Sequence, residues 1–164
     1  MKIIGIDPGS TRAGYGVIEF NSRSIIFIDG GILSVTAHDQ HQRLKELYEA
    51  CNVILSKHRP DMAGMEKLFF AKNTKTATEV SQSRGVLALC MAQHNMPLYE
   101  FTPLEVKQGI TGYGSADKKA VTRMVRGTIA LPPSLQRVPD DVFDALAIAL
   151  ITGYTARKKE RESS

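Results

Sequence analysis

Cysteine is scarce in this chain, and long apolar runs are missing. The 164 residues include only two cysteines, Cys51 and Cys90. That is too few for a disulfide framework, so a reducing, cytoplasmic setting is expected. The longest uninterrupted apolar runs, Val86–Ala92 and Ala145–Ile151, have seven residues each, far short of the ~18 that cross a bilayer. Asp7, Pro8 and Gly9 end the first apolar stretch too early for a signal peptide. No His or Cys pair has the spacing of a metal motif: His38, His41, His58 and His94 read as surface or helix-end residues, and the cysteines as small core residues. Hydrophobic residues at 43% and charged residues at 23% are ordinary globular usage, which excludes wholesale disorder and fits one domain with a real core.

The net charge of +4 is modest but unevenly spread. Residues 67–126 hold nine Lys/Arg against four acids, whereas 1–66 hold seven against eight and 127–164 five of each. A basic middle between acid-bearing ends fits a polyanionic partner, although charge alone favours a solvated basic face.

The opening reads as three strands, Lys2–Asp7, Gly14–Phe20 and Ser24–Ser34, with a bulge expected at Gly30–Gly31. His41–Lys57 has helical period, Met62–Glu66 is a short buried strand, Thr76–His94 a second helix and Pro97–Phe101 a fifth strand. Thr102 and Glu105 form a capping box around Pro103. Gly109–Gly114 reads as a glycine-rich loop, Ser115 as the cap of a helix to Ile129, and Asp140–Tyr154 as a last, apolar helix. The order predicts an α/β domain over residues 1–155: a five-stranded mixed sheet, antiparallel then parallel, with helices on both faces. Residues 156–164 read as a polar, frayed tail. The ligand site should lie at the carboxyl ends of the central strands.

Asp7 and Glu66 each end an apolar strand, where a carboxylate is costly unless paired or bound to a cation. The last helix adds Asp140, Asp141 and Asp144. At about 100° per residue, Asp140 lies about 40° and Asp141 about 60° from Asp144, on opposite sides. Spacing alone thus leans to Asp140. Pro139 instead places Asp140 at the helix start, where an acid serves the dipole, and Asp141 shares its side with Ala145 and Ala149. Carboxylates with few neutral ligands suit Mg²⁺ or Mn²⁺. Two such ions in a basic surround are the machinery of phosphodiester hydrolysis. Phe69 and Phe70 lie in a polar loop near Lys67 and Lys72, an arrangement that suits stacking on unpaired bases.

The segments IGIDPGSTRAGYGVIE, MEKLFFAKNTKTATEVSQSRG, VKQGITGYGSADKKAV and DDVFDALAIAL, in register over about residues 1–152, closely resemble the RuvC family of Holliday-junction resolvases. The resemblance implies an RNase H-like fold and a homodimer that nicks a four-way DNA junction symmetrically, leaving 5′-phosphate and 3′-hydroxyl ends. It implies that Asp7, Glu66, Asp141 and Asp144 hold two Mg²⁺, with Mn²⁺ as a substitute, and that Phe69 stacks near the crossover. It also implies that Lys107 and Lys118 lie near the scissile phosphate, that the helix Thr76–His94 lies at the dimer interface, and that RuvA and RuvB are partners. Asp140 and Phe70 are additions to the family pattern. Two other readings remain open: an ATP-binding protein of the actin or sugar-kinase type, and a non-catalytic junction-binding module.

Overall fold

The computed structural model describes residues 1–9, 12–21, 23–67, 74–133 and 139–163. Phe69, Phe70 and Lys72 lie outside the described residues. The elements run β1 (Lys2–Pro8), β2 (Arg12–Phe20), β3 (Ile25–Ser34), α1 (Gln40–His58), β4 (Met62–Glu66), α2 (Thr74–Gln93), β5 (Leu98–Phe101), α3 (Pro103–Thr111), α4 (Lys118–Thr128) and α5 (Asp140–Glu162). The five strands form one sheet in the order β3-β2-β1-β4-β5. Pairing is antiparallel for β1–β2 and β2–β3 and parallel for β1–β4 and β4–β5, the mixed sheet expected from the sequence.

Successive side chains of a strand face opposite sides of the sheet, and that alternation sorts the core. Ile4 and Ile6 of β1, Tyr15 and Val17 of β2, and Ala63 and Met65 of β4 pack with Leu47, Cys51, Leu55, Leu87 and Met91 of α1 and α2. Ile3 and Ile18 face the other way, onto α3, α4 and α5. By the same count Gly5 and Asp7 of β1 and Gly64 and Glu66 of β4 belong to the α5 face. Asp7 and Glu66 stand one residue beyond the pair Ile6–Met65, level with each other at the carboxyl ends of adjacent parallel strands.

From Val142 to Gly153, α5 is buried at every position except Asp144, as befits a helix between a sheet and two further helices. It lies directly on glycines. A methyl group on Gly5 would sit 2.0 Å from the carbonyl oxygen of Ala145, and one on Gly64 2.0 Å from Thr152 Oγ1. On Gly14, the cross-strand partner of Asp7, it would meet Asp141 O at 2.2 Å and Asp141 Cβ at 2.9 Å.

Several boundaries differ from expectation. The frayed tail expected from residue 156 is helical through Glu162. Lys159 and Arg161 in the last turn favour the helix C-terminus, and Lys159 Nζ lies 4.9 Å from the centre of the Tyr99 ring. The expected bulge at Gly30–Gly31 is absent, because both glycines pair in register. The shift falls at Val17/Ile18, opposite Asp29 and Phe27, which leaves Ile28 as the extra residue. Gly109 lies inside α3, and Gly112 closes that helix in the left-handed conformation at φ 81°, as glycine allows. The cap of α4 is Asp117 rather than Ser115, its carboxylate accepting the Ala120 N–H at 2.7 Å. The Thr102–Glu105 capping box forms as expected. His58 is a buried residue whose Nε2 lies 2.7 Å from Asp29 Oδ2.

The seat of α5 gives a stability prediction. Gly5→Ala should cost about 2–3 kcal/mol, because helix backbone occupies the space its methyl group needs. Gly127→Ala, with open space around it in α4, should instead gain up to ~0.5–1 kcal/mol from helix propensity. Urea denaturation of both variants checks the contrast, and similar midpoints would show that α5 can shift to make room.

Candidate active site

Carboxylate oxygens of Asp7, Asp141 and Asp144 lie within 4.8 Å of one another. Each comes from a different local cause. Asp7 ends a central strand on the α5 face; Asp141 and Asp144 sit in the first turns of α5, which Gly14 lets approach the sheet. Asp140, its side chain 71% exposed against 23% for Asp141, is outside the group. Of the two aspartates that spacing left open, Asp141 therefore joins Asp7 and Asp144. Glu66 is also outside the 4.8 Å group, yet with Asp144, Lys107 and Lys118 it lines a cavity of about 240 Å³ between β4, α3, α4 and α5.

Gathering acids at the margin of a core disfavours their charged forms. Burial, then the charges of Asp144, Glu66 and Asp141, raise the Asp7 carboxyl from 3.8 to about 7, against the opposing pull of Lys118. Glu66 is raised by burial and Asp144, opposed by Lys107, Lys118 and Arg84. Asp144 is raised by burial despite its hydrogen bond from Lys118. Burial alone would lower the Lys118 ammonium, but the Asp144 hydrogen bond and the charges of Asp144, Asp140 and Asp7 hold it above its usual range.

Two cations answer the acids directly. Lys118 Nζ is 2.7 Å from Asp144 Oδ2 and 3.8 Å from Asp140 Oδ2. Arg12 Nε is 2.8 Å from Asp141 Oδ2. That oxygen is buried, and among the described residues it accepts no aligned hydrogen bond, so Arg12 meets it as an ion pair without hydrogen-bond alignment. A buried carboxylate oxygen with its lone pairs unused, beside two further carboxylates, fits a hard divalent cation. Sequence reasoning missed two residues here: Arg12, and Gly14, whose missing side chain admits Asp141. The only sequence signal for Gly14 was the run of small residues after Pro8–Gly9.

Acids gathered at the end of the central strand of a β3-β2-β1-β4-β5 sheet define a class, the RNase H-like nucleases. The family model described as crossover junction endodeoxyribonuclease RuvC matches residues 3–152. The RuvC of Chloroflexus aurantiacus is 46% identical over 162 residues, covering 98% of each chain. That of Clostridioides difficile is 46% identical, covering 94% of this chain and 91% of its own. Among solved structures, Thermus thermophilus RuvC in complex with Holliday junction substrate superposes with a TM-score of 0.89 at 29% identity, covering 97% of this chain and 96% of that one. The yeast mitochondrial Holliday junction resolvase, at 16% identity and a TM-score of 0.69, shares the fold and covers 96% and 82%. The chain belongs to the RuvC family of crossover junction endodeoxyribonucleases. Family membership sets aside the ATP-binding and non-catalytic readings. No helix among the described residues is long and apolar enough to cross a membrane.

The raised Asp7 carboxyl makes stability depend on pH. Between pH 3.8 and about 7 the folded chain keeps a proton that the unfolded chain has released, so stability falls as pH rises across that window. Without metal, Asp7→Asn should therefore match wild type near pH 4 and exceed it by pH 8, by on the order of 2–4 kcal/mol. Urea melts in EDTA at both pH values measure this. A gain that does not change with pH would mean that ionisation of Asp7 is not the cause.

Proposed function

We propose that this chain is a magnesium-dependent endonuclease that resolves Holliday junctions in DNA recombination and repair by paired, symmetric nicks, working as a cytoplasmic homodimer. The observation that carries the reading is the meeting of Asp7, Asp141 and Asp144 within 4.8 Å, beside a cavity lined by Glu66, Lys107 and Lys118. Thermus thermophilus RuvC, whose fold this chain shares, was solved with a Holliday junction substrate, which supports a four-way DNA junction as the ligand. The basic stretch 67–126 would meet the backbone phosphates.

Asp7, Glu66, Asp141 and Asp144 would hold two Mg²⁺, for which Mn²⁺ would substitute. When bound, such ions lower the pKa of an attacking water and stabilise the leaving oxygen. The protein's own part is positional and electrostatic. The end of β1 fixes Asp7, and α5 fixes Asp141 and Asp144 against it. Lys107 and Lys118 face the charge that develops on the scissile phosphate. Water adds to phosphorus, the bond to the 3′ oxygen breaks, and that oxygen takes a proton, leaving 5′-phosphate and 3′-hydroxyl ends. Phe69, with Phe70 and Lys72 nearby in sequence, would stack on a base opened near the crossover. Helix α2, which leaves Leu89 54% exposed, would form the dimer contact, and RuvA and RuvB would be partners.

Cleavage of a mobile four-way junction beside a linear duplex of the same sequence, with Mg²⁺ or EDTA, tests the reading. Nicking should require both junction and metal. Asp7→Asn, Glu66→Gln and Asp141→Asn should abolish nicking and keep junction binding, since lost acid charge also removes repulsion from DNA. Asp140→Asn should cut normally and lose ~0.5 kcal/mol of stability, because this exposed acid in the first turn serves the helix dipole and makes only a long 3.8 Å pair with Lys118. A dead Asp140→Asn beside an active Asp141→Asn would reverse the assignment.

Stacking gives a separate expectation. Phe69→Ala should slow cleavage of a fully paired junction more than of one with unpaired bases at its centre, by up to the ~1–3 kcal/mol a stacked base contributes. Equal losses on both substrates would make Phe69 a packing residue.

A further inference from the structure

Arg12 opens β2, and its backbone lies close to Gly9: a methyl group on Gly9 would lie 2.4 Å from the carbonyl oxygen of Arg12. Its side chain is 58% exposed, yet its Nε lies 2.8 Å from Asp141 Oδ2. Arg12 also lines a small, largely enclosed pocket of about 10 Å³ with Gly9, Gln40, Arg43 and Ser83, against α1 and α2. One guanidinium therefore stands between a buried carboxylate oxygen and solvent.

We propose that Arg12 is an exchangeable counter-ion of the metal site: it neutralises Asp141 in the metal-free protein, and metal binding releases it to a DNA phosphate beside the cut strand. The proposal rests on the divalent-metal reading given above. The chemistry is an exchange of charges. Asp141 Oδ2 accepts no aligned hydrogen bond from Arg12, and the arginine is 58% exposed, so the pair is weaker than a buried, bidentate one and a competing cation can replace it. A divalent cation at Asp7, Asp141 and Asp144 repels the guanidinium and takes over its role. The freed side chain is long and already more than half in solvent, and Arg matches phosphate geometry. Lys118 is different: it also pairs with Asp140, and it lines the cavity beside Glu66, so it stays within the site. Arg12 is thus a positioning residue that couples metal loading to the grip on DNA.

Manganese binding to the metal-free full-length chain, followed by electron paramagnetic resonance without DNA, tests the first half. Arg12→Gln should bind Mn²⁺ about 3–10-fold more tightly than wild type, and Arg12→Lys should stay near wild type. Melting temperatures of both variants should lie within about 3 °C of wild type, because the side chain is exposed and its pair is weak. Junction binding as a function of salt, with Ca²⁺ or with EDTA, tests the second half. In Ca²⁺, Arg12→Gln should reduce the slope of log K against log salt by about 0.9, the share of one phosphate contact. In EDTA the slope should equal that of wild type. Unchanged or weaker Mn²⁺ binding by Arg12→Gln, or equal slopes in Ca²⁺, would overturn the proposal. Failure of the metal reading itself would look different: wild type and Asp7→Asn would bind Mn²⁺ equally.

Discussion

Helix α5 can lie on this sheet only because the sheet presents glycine beneath it. At Gly5, Gly14 and Gly64 a single methyl group would come within 2.0–2.2 Å of α5 atoms. At Gly5 and Gly14 that contact is backbone against backbone, so it fixes the height and the register of the helix far more tightly than side-chain packing would. The site follows from it. Asp141 reaches Asp7 because Gly14, paired with Asp7 across β1 and β2, has no side chain to keep the helix away. The same close seat buries α5 from Val142 to Gly153, and the helix then backs α3 and α4, which carry Lys107 and Lys118 to the carboxylates.

That geometry has an electrostatic cost, and the surrounding cations show how it is met. Four acids at the edge of a core would repel one another and lose hydration. In the metal-free chain Asp7 holds a proton up to about pH 7, Lys118 pairs with Asp144 and Arg12 pairs with Asp141. The site is therefore compensated in three different ways: by a proton on Asp7, by Lys118 and by Arg12. A divalent cation among Asp7, Asp141 and Asp144 would take over from the proton and from Arg12, easing the repulsion between these acids and DNA phosphate.

Much of this was legible in the residues. Strand alternation put Asp7 and Glu66 at equivalent strand ends, because an acid closing an apolar run is out of place in a core. The capping box at Thr102 and Glu105 marked the start of α3. Pro139 and the alanines at 145 and 149 chose Asp141 over Asp140 where angular spacing leaned the other way. The rest depended on tertiary contacts that local patterns do not encode. No local pattern marks the glycines of β1, β2 and β4, whose role depends on the helix above them. Nothing local in the sequence pairs Arg12 with Asp141, a residue so far along the chain. The tail of α5 looked frayed because its residues are polar, but a helix already buried through Gly153 propagates at little cost per added residue, and Lys159 finds the Tyr99 ring. Asp117 replaced Ser115 as a cap because a carboxylate also answers the helix dipole.

The central claim is that the glycine seat of α5 builds a divalent-metal site from Asp7, Asp141 and Asp144. Crystals grown with Mn²⁺ and measured for anomalous scattering test it most directly. The account predicts an anomalous peak among those three carboxylates, lost in crystals of Asp7→Asn. A map with no peak there, or with manganese bound only at other acids, would contradict it.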